Sequence, residues 1–322
     1  MSEEMKAREE LKAKITAIAQ QTVINPGLEL ATLANEPYDA EVPIPEVIAA
    51  VFNVASVDAG EDFDYFVQAP IGKVVYTVSS GSVTQTNVSL DSENALSFSG
   101  YDSAEEYVYL DDLLAGKYDV IALKAEVQQE ALNRLEMKAV FDLLLAGAVA
   151  RSNVYAWDSG NTAITFPKLV EMTRSVAKYG NKLVLITGAN VTTDIMLLDY
   201  NANKQREVAL INAGISAHYP VEAFTYTHSG TKTVLDADKA ILVAVSDAKG
   251  NKPGYFVRRK VNTVAMGQDV VQKERLVISS GPAKHVGSNR KLAIGILTYE
   301  NFGAVLTNTY TIAAFANAST YA

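Results

Sequence analysis

Apolar and polar positions along this chain follow two periods, and the changes from one to the other mark its predicted elements. Residues 2–21 place Met5, Leu11, Ile15 and Ile18 at roughly helical spacing with charges between them, which predicts a short amphipathic helix. Such a helix needs tertiary support, because isolated helices of this size are marginal in water. The following stretch, INPGLELATLANEPYDAEVPIPE, contains Pro26, Pro37, Pro43 and Pro45 and little periodicity, so it reads as an extended arm running over a surface.

A period of two takes over at KVVYTVSSGSVTQTNVSLDSENALSFSG, residues 73–100. Val74, Tyr76 and Val78 alternate with Val75 and Thr77, and beyond SSGS the residues Thr84, Thr86, Val88 and Leu90 keep the same period. Two such runs about a Ser/Gly turn describe a long hairpin. A floppy loop describes the same residues equally well. Lys73, Asp91 and Glu93 are the stretch's charges, and its bulky side chains are too few to build a core.

The strongest helical period is in DVIALKAEVQQEALNRLEMKAVFDLLLAG. Ile121, Ala125, Gln128, Leu132, Leu135, Ala139 and Leu143 fall on one stripe, and Glu130 precedes Arg134 at the favourable (i, i+4) spacing. With Gly147 as a C-cap, the pattern predicts a helix of roughly 25 residues, on the order of 38 Å long. That is a rod able to span a domain.

An α/β-like section follows. TFPKLVEMTRSVAKYG has Thr165 as an N-cap, Pro167 in the first turn and Gly180 at its end, so it predicts a helix. It feeds a strand at KLVLITG and a second helix around VTTDIMLLDYNANKQ. Further strands are predicted at AILVAVS, GYFVRRKV, ERLVISSG and KLAIGILTYENFGAVLTNTYTIAAFA. Helices precede and strands follow, which predicts an α+β order rather than a repeating βαβ. There is no internal repeat.

Composition narrows the function classes. With 48% hydrophobic and 20% charged residues the 322-residue chain is a folding one, long enough for one large domain or two. A net charge of −9 excludes a tight grip on nucleic acid through a basic surface. The chain has no cysteine, which removes disulfide frameworks, thiolate zinc sites and thiol nucleophiles together. Its charged first residues do not form a signal peptide, and no apolar run reaches the ~18 residues of a membrane span, so a soluble protein made in the cytoplasm is expected.

Catalytic motifs are missing. GxxxxGK[ST], GxGxxG, HExxH and GxSxG do not occur, and His218, His228 and His285 are scattered without ligand spacing. Asp58, Glu61, Asp62 and Asp64 cluster without the DxDxDG spacing of a calcium loop, which leaves a solvated turn or an acidic interface patch. Arg258, Arg259 and Lys260 lie in a predicted strand whose alternation sends Arg258 and Lys260 to one face and Arg259 to the other. An exposed edge strand guarded by charge is the default for them; phosphate binding or inter-subunit ion pairing is the functional alternative. Trp157 reads as a core anchor. No cofactor or metal is expected.

The order of elements resembles the major capsid proteins of tailed double-stranded DNA bacteriophages, the HK97-like fold. The charged N-terminal helix, proline-bearing arm, long polar hairpin, long helix, α/β section and closing strands follow the family's sequence of N-arm, E-loop, spine helix of the P-domain, A-domain and return to the P-domain. NVYAWDSGNTAITFPKLVEMTRSVAKYGNKLVLITGANVTTDIML is similar to the passage from spine helix into A-domain, and DKAILVAVSDAKGNKPGYFVRRKVN to the late strand pair ending in basic residues. The resemblance implies an N-terminal helix and arm over 1–51 and an E-loop over 62–102. It implies a P-domain with spine helix over 103–150, mainly A-domain over 151–285, and closing strands returning to the P-domain over 286–322.

It further implies a structural protein, not an enzyme, that self-assembles as pentamers and hexamers into an icosahedral phage head. Such a virion shell is assembled in the host cytoplasm and encloses double-stranded DNA without strong sequence-specific binding. The expected partners are other copies of itself, a separate scaffold protein, a portal and a decoration protein, with no membrane. Arg258, Arg259, Lys260, Asp62 and Asp64 are the candidate inter-subunit contacts. Lys73, the hairpin's one lysine, sits near its base, so no crosslink through it is expected. An encapsulin-type nanocompartment shares the implied fold, and a hydrolase or binding domain with an unrecognised site is the reading from another class. Under the resemblance the hairpin is a ribbon whose packing partner is the next copy of the chain.

Overall fold

The computed structural model describes residues 44–65, 94–109, 111–112, 119–156, 164–201, 210–211, 213–221, 234–246, 252–263, 271–279, 284–286 and 291–316. The predicted N-terminal helix, the arm as far as residue 43, the body of the predicted hairpin, and Trp157 lie outside the described residues.

Helix α1 (Glu46–Val51) starts after Pro45 and buries Ile48 and Val51 completely. Lys252 closes its end, donating to the carbonyl oxygens of Ala49 and Phe52. Strand β1 (Asn53–Val57) follows and pairs in parallel with β10 (Gly254–Arg259). The long helix α2 runs over Asp119–Ala150, 32 residues or about 48 Å.

One sheet is built along β15 (Lys291–Leu306), whose length lets it pair with different strands in turn. On one side lie β10, then β13 (Arg275–Ser279), then β14 (Lys284–Val286). On the other lie β4 (Ser99–Asp102) and β5 (Glu106–Tyr109). These strands and β1 make the seven-stranded sheet. A separate pair, β11 (Val261–Thr263) with β12 (Val271–Lys273), continues beyond β10.

The second sheet has five strands in the order β6 (Val154–Tyr155), β16 (Ile312–Phe315), β9 (Ala240–Ser246), β7 (Lys182–Thr187) and β8 (Ala217–Pro220). Strands β7 and β9 are continuous apolar runs because both of their faces are covered. Val184, Ile186, Ile241 and Val243 face the core that the second half of α2 fills with Val140, Phe141, Leu144 and Ala148. Leu183, Leu185, Leu242 and Ala244 face a second core. That core is closed by Leu169, Met172 and Val176 of α3 (Phe166–Ala177) and by Val191 and Ile195 of α4 (Ala189–Asn201). The first core also takes in Phe256 of β10 and Phe302 of β15, so α2 joins the two sheets.

Three expectations are corrected. First, α2 continues to Ala150 and ends where Asn153 N–H reaches Ala148 O at 3.0 Å, with Ser152 at φ 52°. Gly147 therefore lies inside the helix, where a Cβ would stand 2.7 Å from Leu306 Cδ1; it permits close packing and is not a cap.

Second, the buried stripe of α2 is Gln128, Leu132, Glu136, Val140, Leu144 and Ala148, whereas Leu135, Ala139 and Leu143 are only half-buried. The stripe follows i, i+4 through a glutamate, which an apolar period passes over. Third, β10 is an interior strand between β1 and β15, not an edge. Neither sheet is confined to one side of residue 285. Strands β10 and β13 already belong to the seven-stranded sheet, and β16 closes the five-stranded one.

Candidate functional site

The acidic turn and the basic strand end, separate in the sequence, meet in the fold. Parallel pairing aligns Ser56 with Arg258 and Val57 with Arg259, and Lys260 N–H donates to Val57 O at 2.9 Å. Lys260 Nζ then sits 2.8 Å from Asp58 Oδ1 and Arg259 Nη2 3.2 Å from Asp62 Oδ1. Gly60, at φ +87°, turns the acidic loop between them. The Arg259 guanidinium also donates to Glu61 O and stacks 4.0 Å over the Phe98 ring.

This arrangement forms the root of the predicted hairpin. Strand β2 (Asp64–Tyr65) pairs antiparallel with β3 (Asn94–Ala95), Asp64 opposite Ala95 and Tyr65 opposite Asn94. Leu96 N–H donates to Phe63 O at 2.8 Å, and the Phe63 ring packs on Tyr255 at 5.4 Å. The returning strand approaches β15 so closely that a Cβ on Gly303 would stand 2.6 Å from Ser97 O. The two strands that flank residues 66–93 in the chain thus form a two-stranded root clamped onto β10 and β15.

Beneath the root lies a buried ion cluster. Arg258, fully buried, donates from Nε to Glu136 Oε1 at 2.7 Å and from Nη2 to Glu136 Oε2 at 2.9 Å, a bidentate pair of the strong kind. Its Nη1 reaches Glu274 Oε2 at 3.1 Å. Arg275 Nη2 lies 3.3 Å from Glu136 Oε2, and Arg275 Nε donates to Glu300 Oε2 at 2.5 Å. The cluster ties α2 to β10, β13 and β15. A polar strip extends it: Gln128 donates to Ile296 O at 2.9 Å and accepts from Thr298 Oγ1 at 2.8 Å.

The electrostatics follow from burial and neighbours. Burial opposes the charge of Arg258, but the Glu136 and Glu274 carboxylates outweigh it and hold the guanidinium above its usual range. Burial, with the Glu136 carboxylate, pushes Glu300 up to about 7 against the pull of Arg275.

The five residues expected at subunit contacts are thus placed as follows. Arg258 turns inward and its charge is met within one chain, because the strand's alternation points it at α2. Arg259 and Lys260 face the acidic turn, Lys260 having already left the strand, so it does not share a face with Arg258. Asp62 pairs with Arg259 and remains exposed, and Asp64 lies in the root ladder. Sequence reasoning missed Glu136, Glu274, Arg275 and Glu300. The signal available was a charge inside an apolar period, Glu136 in the stripe of α2 and Glu300 in KLAIGILTYENFGAVL.

His218 of β8 lies 2.8 Å from Thr187 Oγ1, which contacts Thr192 Oγ1 at 2.7 Å; Thr192 in turn donates to Gly188 O. With Thr187 fully buried, this is a polar relay at the end of β7 rather than a reactive hydroxyl. His285 lies in β14, and His228 is outside the described residues. Among the described residues no group of three His, Asp or Glu could hold a metal ion.

No family model matches the chain, and no curated protein matches it. Solved structures do. A structure from Microbacterium phage Oxtober96 superposes with TM-score 0.53 at 15% identity, covering 89% of this chain and 97% of that one. A satellite phage P4 procapsid structure that includes the size determination protein Sid gives 0.48 at 10% identity, covering 98% of each chain. The holo-SrpI encapsulin complex of Synechococcus elongatus gives 0.45 at 14%, covering 89% and 94%. The fold assignment rests on the first of these. The chain has the α+β, HK97-like fold anticipated from its order of elements.

Proposed function

We propose that this chain is the repeating subunit of an icosahedral phage head, assembling as pentamers and hexamers around double-stranded DNA. A fold alone does not assign a function. The observation that carries the reading is the hairpin root. A ladder at 64–65 and 94–95, clamped by Arg259, Phe63 and the close approach at Gly303, carries a Ser/Thr-rich segment too poor in bulky side chains to make its own core. Such a ribbon finds its partner surface on a neighbouring copy, as closed symmetric assemblies require.

In this reading residues 1–51 are the N-arm, 62–102 the E-loop and α2 the spine helix. The five-stranded sheet with α3 and α4 is the core of the A-domain, and the seven-stranded sheet belongs to the P-domain. The subunit has a structural role and no catalytic one, and it resides in the virion after assembly in the host cytoplasm. A separate scaffold, a portal and a decoration protein are its partners. Arg259, Lys260, Asp62 and Asp64, at the root, are the residues nearest an inter-subunit surface.

The test is size-exclusion chromatography with negative-stain microscopy on the full chain, alone and with a co-expressed scaffold protein. Shells are expected. Replacing residues 66–93 by a short Gly/Ser linker is expected to leave a folded subunit by circular dichroism that forms no shells. A persistent monomer of 34.7 kDa under all conditions overturns the proposal, and normal shells from the linker variant overturn the E-loop assignment. Shells whose cargo is a protein and that never hold DNA turn the reading to an encapsulin-type compartment.

A further inference from the structure

The buried cluster does not balance. Glu136, Glu274 and Glu300 bring three carboxylates to two guanidiniums, and arginine does not release its proton in proteins. Side-chain exposure is 1% or less for Arg258, Glu136 and Glu300, 2% for Arg275 and 18% for Glu274. An uncompensated charge at such burial is costly, and a carboxyl placed there takes up a proton instead.

The geometry says which carboxyl that is. Glu136 has both oxygens against guanidinium nitrogens, and Glu274 keeps access to water. Glu300 uses one oxygen on Arg275, while its Oε1 is sealed from solvent with no hydrogen-bond partner among the described residues. From every packed element the groups facing it are Glu136 of α2, Arg258 of β10, Arg275 of β13 and, opposite it across the ladder, Tyr101 of β4.

We propose that Glu300 is the proton-holding carboxyl of this cluster, and that α2 is latched to the seven-stranded sheet by that proton and slackened by its loss. The latch is a property of the single subunit and stands whatever the subunit assembles into. Its working range follows from the position of Glu300, raised from 4.5 to about 7. A carboxyl raised on folding stabilises the fold fully below about 4.5, and that contribution is lost as the pH rises through about 7. The separation amounts to a proton affinity about 300-fold higher in the folded state.

The experiment is chemical denaturation of the full chain and of Glu300→Gln, followed by far-UV circular dichroism from about pH 5 to 8.5 at constant ionic strength. The glutamine stands in for the neutral acid. The folding constant of the unaltered chain, relative to the variant's, is expected to fall by about 70-fold between about pH 5 and 8.5, the part of the ~300-fold separation that lies inside that window. Parallel profiles for the two proteins overturn the proposal.

Should the variant fail to fold, difference infrared spectroscopy on the unaltered chain decides the question. A buried carboxylic-acid band titrating near neutrality supports the latch, and its absence at about pH 6 overturns it. In Glu136→Gln that band is expected to titrate at lower pH, because the like charge raising it is gone. An unmoved band refutes the coupling to α2.

Discussion

Replacing Arg258 by Met tests whether the helix–sheet junction depends on charge pairing or only on packing. The substitution keeps a long apolar side chain in a fully buried site but withdraws three contacts, at 2.7, 2.9 and 3.1 Å. Removing one partner of a buried pair strands the other, at a cost of about 3–5 kcal/mol. Against a total stability of about 5–15 kcal/mol, that is a large fraction.

Glu136 and Glu300 would then share Arg275 alone, and the loss is expected to shrink on acidification, which relieves the repulsion between two buried carboxylates. The double replacement Arg258→Met with Glu136→Leu removes both partners of the bidentate pair and leaves Arg275 with Glu300, while Glu274 keeps its access to water. It is expected to recover about 2 kcal/mol or more of the single loss, because buried ion pairs are often replaceable by apolar residues of similar volume. Guanidinium unfolding of all four members of the cycle provides the readout, with midpoints compared at constant slope. Strictly additive losses, or an Arg258→Met loss under about 1 kcal/mol, refute the reasoning.

Two further perturbations separate core from surface. Leu132→Ala is expected to cost about 2–5 kcal/mol in thermal or chemical unfolding, because Leu132 is fully enclosed. Leu135→Ala, on the half-buried flank, is expected to cost distinctly less, and equal losses would put the stripe of α2 elsewhere. Arg259→Ala removes a partly exposed ion pair with Asp62 and is expected to change stability by about 1 kcal/mol or less. A loss above about 2 kcal/mol would mean that the guanidinium over Phe98 holds the root far more tightly than an exposed contact does.

Local periodicity carried much of the fold. The runs KLVLIT, AILVAVS and FPKLVEMTRSVA appear as β7, β9 and α3 within a residue or two of their predicted limits, because each has its buried positions set by its own period. The four-residue strand β8 was not anticipated; it is too short to show a period and is defined by pairing with β7. The C-terminal end of α2 was misread for the complementary reason. Gly147 has the chemistry of a helix cap, and only the nearness of Leu306 and Ile312 makes it a packing position.

What the sequence by itself determined is the class of fold and the order of its described parts: a long helix, an α/β section, then long closing strands. Composition also excluded thiol chemistry, since the chain has no cysteine, and its net charge of −9 argued against a grip on nucleic acid through a basic surface. Tertiary structure alone decided the electrostatics. Arg258 and Arg259 are neighbours of the same type, yet one is sealed against Glu136 and the other lies at the hairpin root, because adjacent residues of a strand face opposite sides of a sheet. Glu136, Glu274, Arg275 and Glu300 come together from one helix, two strands and the bend that precedes the first of those strands. A charge whose partner is 122 residues away leaves no local period to read.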